Sequence, residues 1–182
     1  MITRLLRAVT GASLLAAMAL PASAHVGIID GDAVPGGGHG SVITLRIGHG
    51  CEGAATDSIE VRIPEGVTNV RPEWVPGWTI ETESRAGSQA SAAPDVSAGH
   101  DGATEVGIVR WSGGPVLDTQ YADLRLMAVF PETPGVLWFP VLQRCGDAES
   151  AWIQIPAEGQ SVDALDHPAA SVTVVEGEAD EH

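Results

Sequence analysis

The chain is written in short period-two stretches punctuated by proline and glycine, a pattern that points to an all-β fold. The stretch 58–63 (SIEVRI) is the clearest: Ile59, Val61 and Ile63 fall on one face, Glu60 and Arg62 on the other, and Pro64-Glu65-Gly66 then turns the chain. Residues 41–47 (SVITLRI) alternate likewise, with Ile43, Leu45 and Ile47 opposed to Val42, Thr44 and Arg46. Further strands are predicted over 77–82, 105–111, 123–130, 136–142, 151–155 and 171–175, each bounded by turn residues. In the second of these, Val106, Ile108 and Arg110 share a face, and Ser112-Gly113-Gly114-Pro115 reads as the turn that follows. Residues 84–102, rich in Ala, Ser and Gly, read as a long loop. No helical periodicity and no internal repeat intervene. About eight short strands at regular spacing predict a single antiparallel β-sandwich, immunoglobulin- or cupredoxin-like.

The N-terminus carries a different signal. Arg4 and Arg7 precede an apolar run over 9–20, then Pro21 and the small-x-small site Ala22-Ser23-Ala24. That is a secretory signal peptide over residues 1–24. The expected organisation is a signal over 1–24, a β-sandwich over 25–176 and a short acidic tail over 177–182. After the signal no apolar run reaches the roughly 18 residues of a membrane span, so the expected location is periplasmic or secreted.

Charge narrows the partners. The chain has nine Arg, no Lys and 24 Asp plus Glu, for a net charge of −15. Removing Arg4 and Arg7 makes the mature part more acidic still, which argues against nucleic acid as a partner because phosphate recognition needs basic clusters. The two cysteines, Cys51 and Cys145, both lie in the exported part. In an oxidising compartment an even pair reads as a disulfide; the rival reading, two soft metal ligands, would need reduced thiolates.

Cleavage after Ala24 would leave His25 first, with a free α-amine and an imidazole on one residue. Their ordinary pKa values, about 8 and about 6.5, let a metal displace both protons at neutral pH. Two nitrogens joined by a carboxylate suit Cu(II), which prefers a tetragonal set of N and O donors. Glu81, in the stretch opened by Trp78, is the candidate carboxylate; the alternative is that it is an outward-facing strand residue. The five tryptophans, Trp74, Trp78, Trp111, Trp138 and Trp152, read mainly as core anchors. His39 and His49 flank one strand at opposite ends, and His100 and His167 read as solvated.

Several separated segments resemble one family. They are His25-Val26, Gly50-Cys51-Glu52-Gly53, 61–67 (VRIPEGV), 76–81 (PGWTIE), 111–114 (WSGG), 139–143 (FPVLQ) and 151–153 (AWI). In this order they are similar to the YcnI-like copper-binding domain. The resemblance implies an exported β-sandwich that holds one Cu(II) through an N-terminal histidine, a glutamate carboxylate and a nearby tryptophan. Carried over, His25 is the histidine and Glu81 the carboxylate, while Trp152 is the tryptophan, with Trp138 as the fallback. His39 departs from the family pattern and is a further candidate donor.

The resulting expectation is a copper-binding protein, a metallochaperone or copper store rather than an enzyme, handing its ion to a copper-accepting protein. Two other classes stay open. A copper oxidase or monooxygenase would want a second histidine at the metal, and a metal-free interaction domain would bind no copper.

Overall fold

Ile59 and Val61 are sealed from solvent, and Glu60 between them turns to the opposite face, as alternation along a strand requires. The computed structural model describes residues 26–38, 40–85 and 105–177. Their strands are β1 (Gly27–Ile28), β2 (Val34–Pro35), β3 (Ser41–Ile47), β4 (Thr56–Arg62), β5 (Thr68–Pro72) and β6 (Trp78–Ser84). They continue as β7 (Val106–Val116), β8 (Ala122–Val129), β9 (Gly135–Phe139), β10 (Val141–Cys145), β11 (Ala148–Trp152) and β12 (Ala170–Val175). One 3-10 turn, Val162–Ala164, is the only helical element among the described residues, so no helix there is long and apolar enough to cross a membrane.

The strands form sheets ordered β1-β3-β8-β5, β11-β10-β4-β7-β6 and β2-β12-β9. Pairing is antiparallel except between β2 and β12, where Val34 lies opposite Val174 in parallel. The inner faces meet in one core that includes Ile43, Leu45, Ile59, Val61, Trp111 and Phe139. This is the predicted all-β sandwich. Cys51 and Cys145 are joined in a disulfide with Cα atoms 5.7 Å apart across a sequence separation of 94.

Two local expectations need correction. Ser112 to Pro115 is no turn: β7 continues through it, because Gly113 and Gly114 take φ of 132° and 83° and let the backbone pass close under Trp78. A Cβ on Gly113 would lie 2.6 Å from the Gly77 carbonyl oxygen. Residues 136–142 are two strands, since Pro140 has no N–H for the ladder and the chain changes sheet there, from β9 beside β12 to β10 beside β4. Within β7 Ile108 and Arg110 do share a face, the outward one, while Val109 and Trp111 are buried. Strand β5 was not predicted, as its Arg71 and Pro72 hide the alternation around buried Val70. The predicted loop over 84–102 lies mostly outside the described residues, as do the signal peptide and most of the acidic tail.

The two sides of the sandwich differ. On one side β5 packs against β7, next to edge strand β6. On the other, β1 packs beside β12, and the lead into β12 bridges the end of β11 through Gln154 and Pro168. Strands β1 and β11 therefore share a side, opposite β6.

Candidate functional site

His25 lies outside the described residues, but the residue bonded to it does not. Val26 is 2% exposed and belongs to the core. Gly27 pairs with Arg46 and Ile28 with Leu45, and one more step of that antiparallel register reaches Ile47, which is fully buried. On the opposite flank the Thr173 amide donates to the Gly31 carbonyl at 2.7 Å, and the chain then runs parallel to β12 through Val34. The start of the domain is thus wedged between β3 and β12.

A buried polar network lies on this side. Alternation in β10 sets Gln143 on the inner face with Val141 and Cys145, and Gln143 is 1% exposed. A buried amide without partners would be costly, and this one is fully used. Its nitrogen donates to the His49 carbonyl and to Thr56 Oγ1, both at 2.7 Å, and its oxygen accepts the Trp152 indole N–H at 3.2 Å. The disulfide adjoins this network, for Thr56 Oγ1 lies 3.6 Å from Cys145 Sγ. Gln143 pairs with Ser150 and Trp152 with Val141, so Gln143 and Trp152 are diagonal neighbours across two strands.

Two histidines border the network. His49 sits in the turn after β3, its Nδ1 against the Gly50 carbonyl and 4.0 Å from Asp118 Oδ1. The Gly50 amide donates to the same Asp118 oxygen at 3.1 Å. His167 meets Trp152 edge-on, with ring centroids 5.0 Å apart and planes at 69°. Its backbone is clamped by Gln154: the His167 amide donates to Gln154 Oε1 at 2.7 Å, and the Gln154 amide donates to the His167 carbonyl at 3.0 Å.

Glu81 is elsewhere. It lies on the outer face of β6, exposed, with its carboxylate 3.8 Å from Arg110. Arg110 also holds Glu60 at 2.7 Å and Glu83 at 3.1 Å, and these carboxylates, Glu60 first, raise its pKa further above the usual guanidinium value. Trp152 lies on the buried face of β11, at the other edge of the same sheet. Four strand spacings separate them, roughly 19 Å. The structure does not bring Glu81 and Trp152 together, nor Glu81 and Val26. The fallback, Trp138, is half-buried in β9 opposite Ser171. His39, His100 and His182 lie outside the described residues.

Among the described residues no group of three or more His, Cys, Asp or Glu side chains converges as a metal site. A surface pocket of about 220 Å³, lined by Glu60, Arg62, Pro140, Leu142 and Ile153, lies on the outer face of the five-stranded sheet. It is smaller than the roughly 300–1,000 Å³ usual for a small-molecule site. Gln143 was not singled out in the sequence, and His167, expected to be solvated, is exposed but has its ring against Trp152. The signal for Gln143 was available, a lone amide on the inner face of an apolar strand. None was available for His167, which approaches Trp152 only through the chain reversal after β11.

The fold defines a class, an immunoglobulin-like β-sandwich with Val26, the first of the described residues, packed in its core. The chain belongs to the family described as "Domain of unknown function (DUF1775)", which matches residues 25–174 and is the YcnI-like family that its motifs resemble. Among solved structures it is similar to an uncharacterised protein from Nocardia farcinica, reported to have an immunoglobulin-like fold. The two are 25% identical with a TM-score of 0.60, over 83% of this chain and 98% of that one. No curated protein matches the chain.

Proposed function

We propose that this protein is exported, is cleaved after Ala24 and captures one Cu(II) ion at the new N-terminus, where His25 supplies its α-amine and imidazole. One observation carries the reading: Val26, which directly follows the proposed terminal histidine in sequence, is buried in the core, so the folded domain starts immediately behind that terminus. The family match supports it by beginning at residue 25 itself.

The side chains on this flank suit the role. Trp152 offers a buried apolar wall whose polar edge is already satisfied by Gln143. Such surroundings limit solvent access to a bound ion and tune its potential. Glu81 is not carried into the donor set, because β6 lies at the edge of the sheet opposite β11. Amine and imidazole donors bind Cu(II) strongly and exchange by ligand replacement, which fits a carrier that yields its ion to a copper-accepting protein better than a catalyst that retains it.

Mass spectrometry of the exported protein tests the first requirement. The expected start is His25. A mature chain that begins at any other residue removes the chelate and the proposal with it.

A further inference from the structure

We infer that the pocket on the outer face of the five-stranded sheet binds a free α-amino acid with an apolar side chain, its ammonium on Glu60 and its carboxylate on Arg62. This goes beyond the copper site and does not depend on it. The pocket forms where two strands stop. Strand β10 begins at Val141, after Pro140, and β11 ends at Trp152, so Pro140 and Ile153 lie just past the ladder that joins these strands. Leu142 stands opposite Glu60, and the Arg62 amide donates to the Pro140 carbonyl at 2.9 Å. The two charged residues of β4 are thereby set against three apolar ones.

Glu60 is 8% exposed and spends one oxygen on its cations. Oε2 accepts from Arg110 Nε at 3.1 Å and from Nη2 at 2.7 Å, and Arg144 lies 3.9 Å from it. Oε1 accepts no hydrogen bond among the described residues, although each carboxylate oxygen can take two. A buried carboxylate with an idle oxygen calls for a donor, and the pocket is where one can enter. Arg62 is exposed, and its guanidinium makes no ion pair among the described residues, which leaves its fork open to a carboxylate. The two residues stand two positions apart on one face of β4, roughly 7 Å along the strand, a gap that the long arginine side chain can close. A lone anion would meet Glu60 and a lone cation would meet Arg62; a zwitterion satisfies both. Pro140, Leu142 and Ile153 supply the apolar wall, and Ile153, 49% exposed, loses water when a side chain covers it. The volume of about 220 Å³ holds the ligand to a single residue.

Saturation-transfer NMR titrations test this with L-leucine, N-acetyl-L-leucine, which lacks the ammonium, and L-leucinamide, which lacks the carboxylate. EDTA is present throughout, so that no copper chelates the amino acid. L-Leucine is expected to bind with a Kd of about 1 mM or tighter. Each analogue should bind at least about tenfold more weakly, the loss expected for one charge-assisted hydrogen bond. Arg62→Met and Ile153→Asp alter exposed side chains, and circular dichroism verifies that both variants are folded. Each should weaken L-leucine by about tenfold or more, while Arg71→Met, an exposed position on the other sheet, should leave it unchanged. No saturation by L-leucine up to about 20 mM overturns the inference. Equal binding of N-acetyl-L-leucine also overturns it, because the ligand is then a plain carboxylate or a peptide C-terminus. Unchanged L-leucine affinity in Arg62→Met places the binding elsewhere and overturns it as well.

Discussion

The Trp152 indole nitrogen donates to Gln143 Oε1 at 3.2 Å, and the nitrogen of the same amide donates to the His49 carbonyl at 2.7 Å. One buried side chain thereby ties strand β11 to the turn that follows β3. Replacing it with an apolar residue of similar size, Gln143→Leu, removes the acceptor of the Trp152 N–H and the donor to the Thr56 hydroxyl and the His49 carbonyl. A loss of about 1–3 kcal/mol is expected, since stranding a buried polar group costs its desolvation. Urea denaturation measures it, and tryptophan emission should shift as the indole loses this hydrogen bond. A loss within experimental error would mean that the network contributes nothing to holding this flank.

Arg110 and Glu81 should behave differently from each other. Arg110→Met removes the main partner of Glu60, which is only 8% exposed, and leaves Arg144 at 3.9 Å as the remaining cation. The expected cost is again about 1–3 kcal/mol, set by an under-paired buried carboxylate. Glu81→Gln touches an exposed carboxylate at 3.8 Å, a contact of the kind worth little. Its stability should be unchanged, and so should the Cu(II) EPR spectrum. A changed copper spectrum in Glu81→Gln would return that residue to the donor set.

How far the residues speak for themselves is clear from these two positions. Period-two alternation correctly oriented Ile59, Glu60, Val61 and Arg62, because the face a side chain takes in a strand is a local property. Alternation could not say which edge of the sheet β6 would occupy, since strand order depends on long-range pairing. Glu81 was therefore legible as a strand carboxylate but not as one lying opposite β11. The same limit explains Pro140, where one apolar run serves two sheets, and His167, whose neighbour Trp152 is reached only by tertiary packing. The disulfide was legible because two cysteines have one possible intramolecular pairing.

Breaking that disulfide should be costly. Paired alanines at Cys51 and Cys145 release a loop of 94 residues, and the chain-entropy estimate for a loop of that size is about 4–5 kcal/mol. Thermal unfolding of the double variant should show a large fall in Tm. A Tm within a degree or two of the parent would mean that the unfolded chain gains little freedom from the cut.

The pair Arg46–Asp123 should give stability a pH dependence. Arg46 donates to both carboxylate oxygens of Asp123 at 2.8 Å, and these bonds hold the Asp123 carboxyl below its usual range. A folded-state pKa below the unfolded value of about 3.9 contributes stability that is fully present above that pH and is lost as pH falls through the depressed value. Arg46→Met should therefore lower Tm at pH 7. The gap to the parent should close as the solution is acidified below about pH 4, and should narrow with added salt. A gap that stays constant with pH would assign the loss to packing of Arg46 on Tyr121, whose ring lies 5.0 Å away, and not to charge.

The most direct test of the N-terminal copper site compares two proteins that differ by a single added glycine ahead of His25. The extra residue moves the free amine off the histidine and leaves every side chain in place. Cu(II) titration followed by EPR should give one tight, nitrogen-rich site in the protein that begins at His25 and should lose it in the extended one. Equal affinity and an identical spectrum in the two proteins would contradict copper capture by the histidine's own amine.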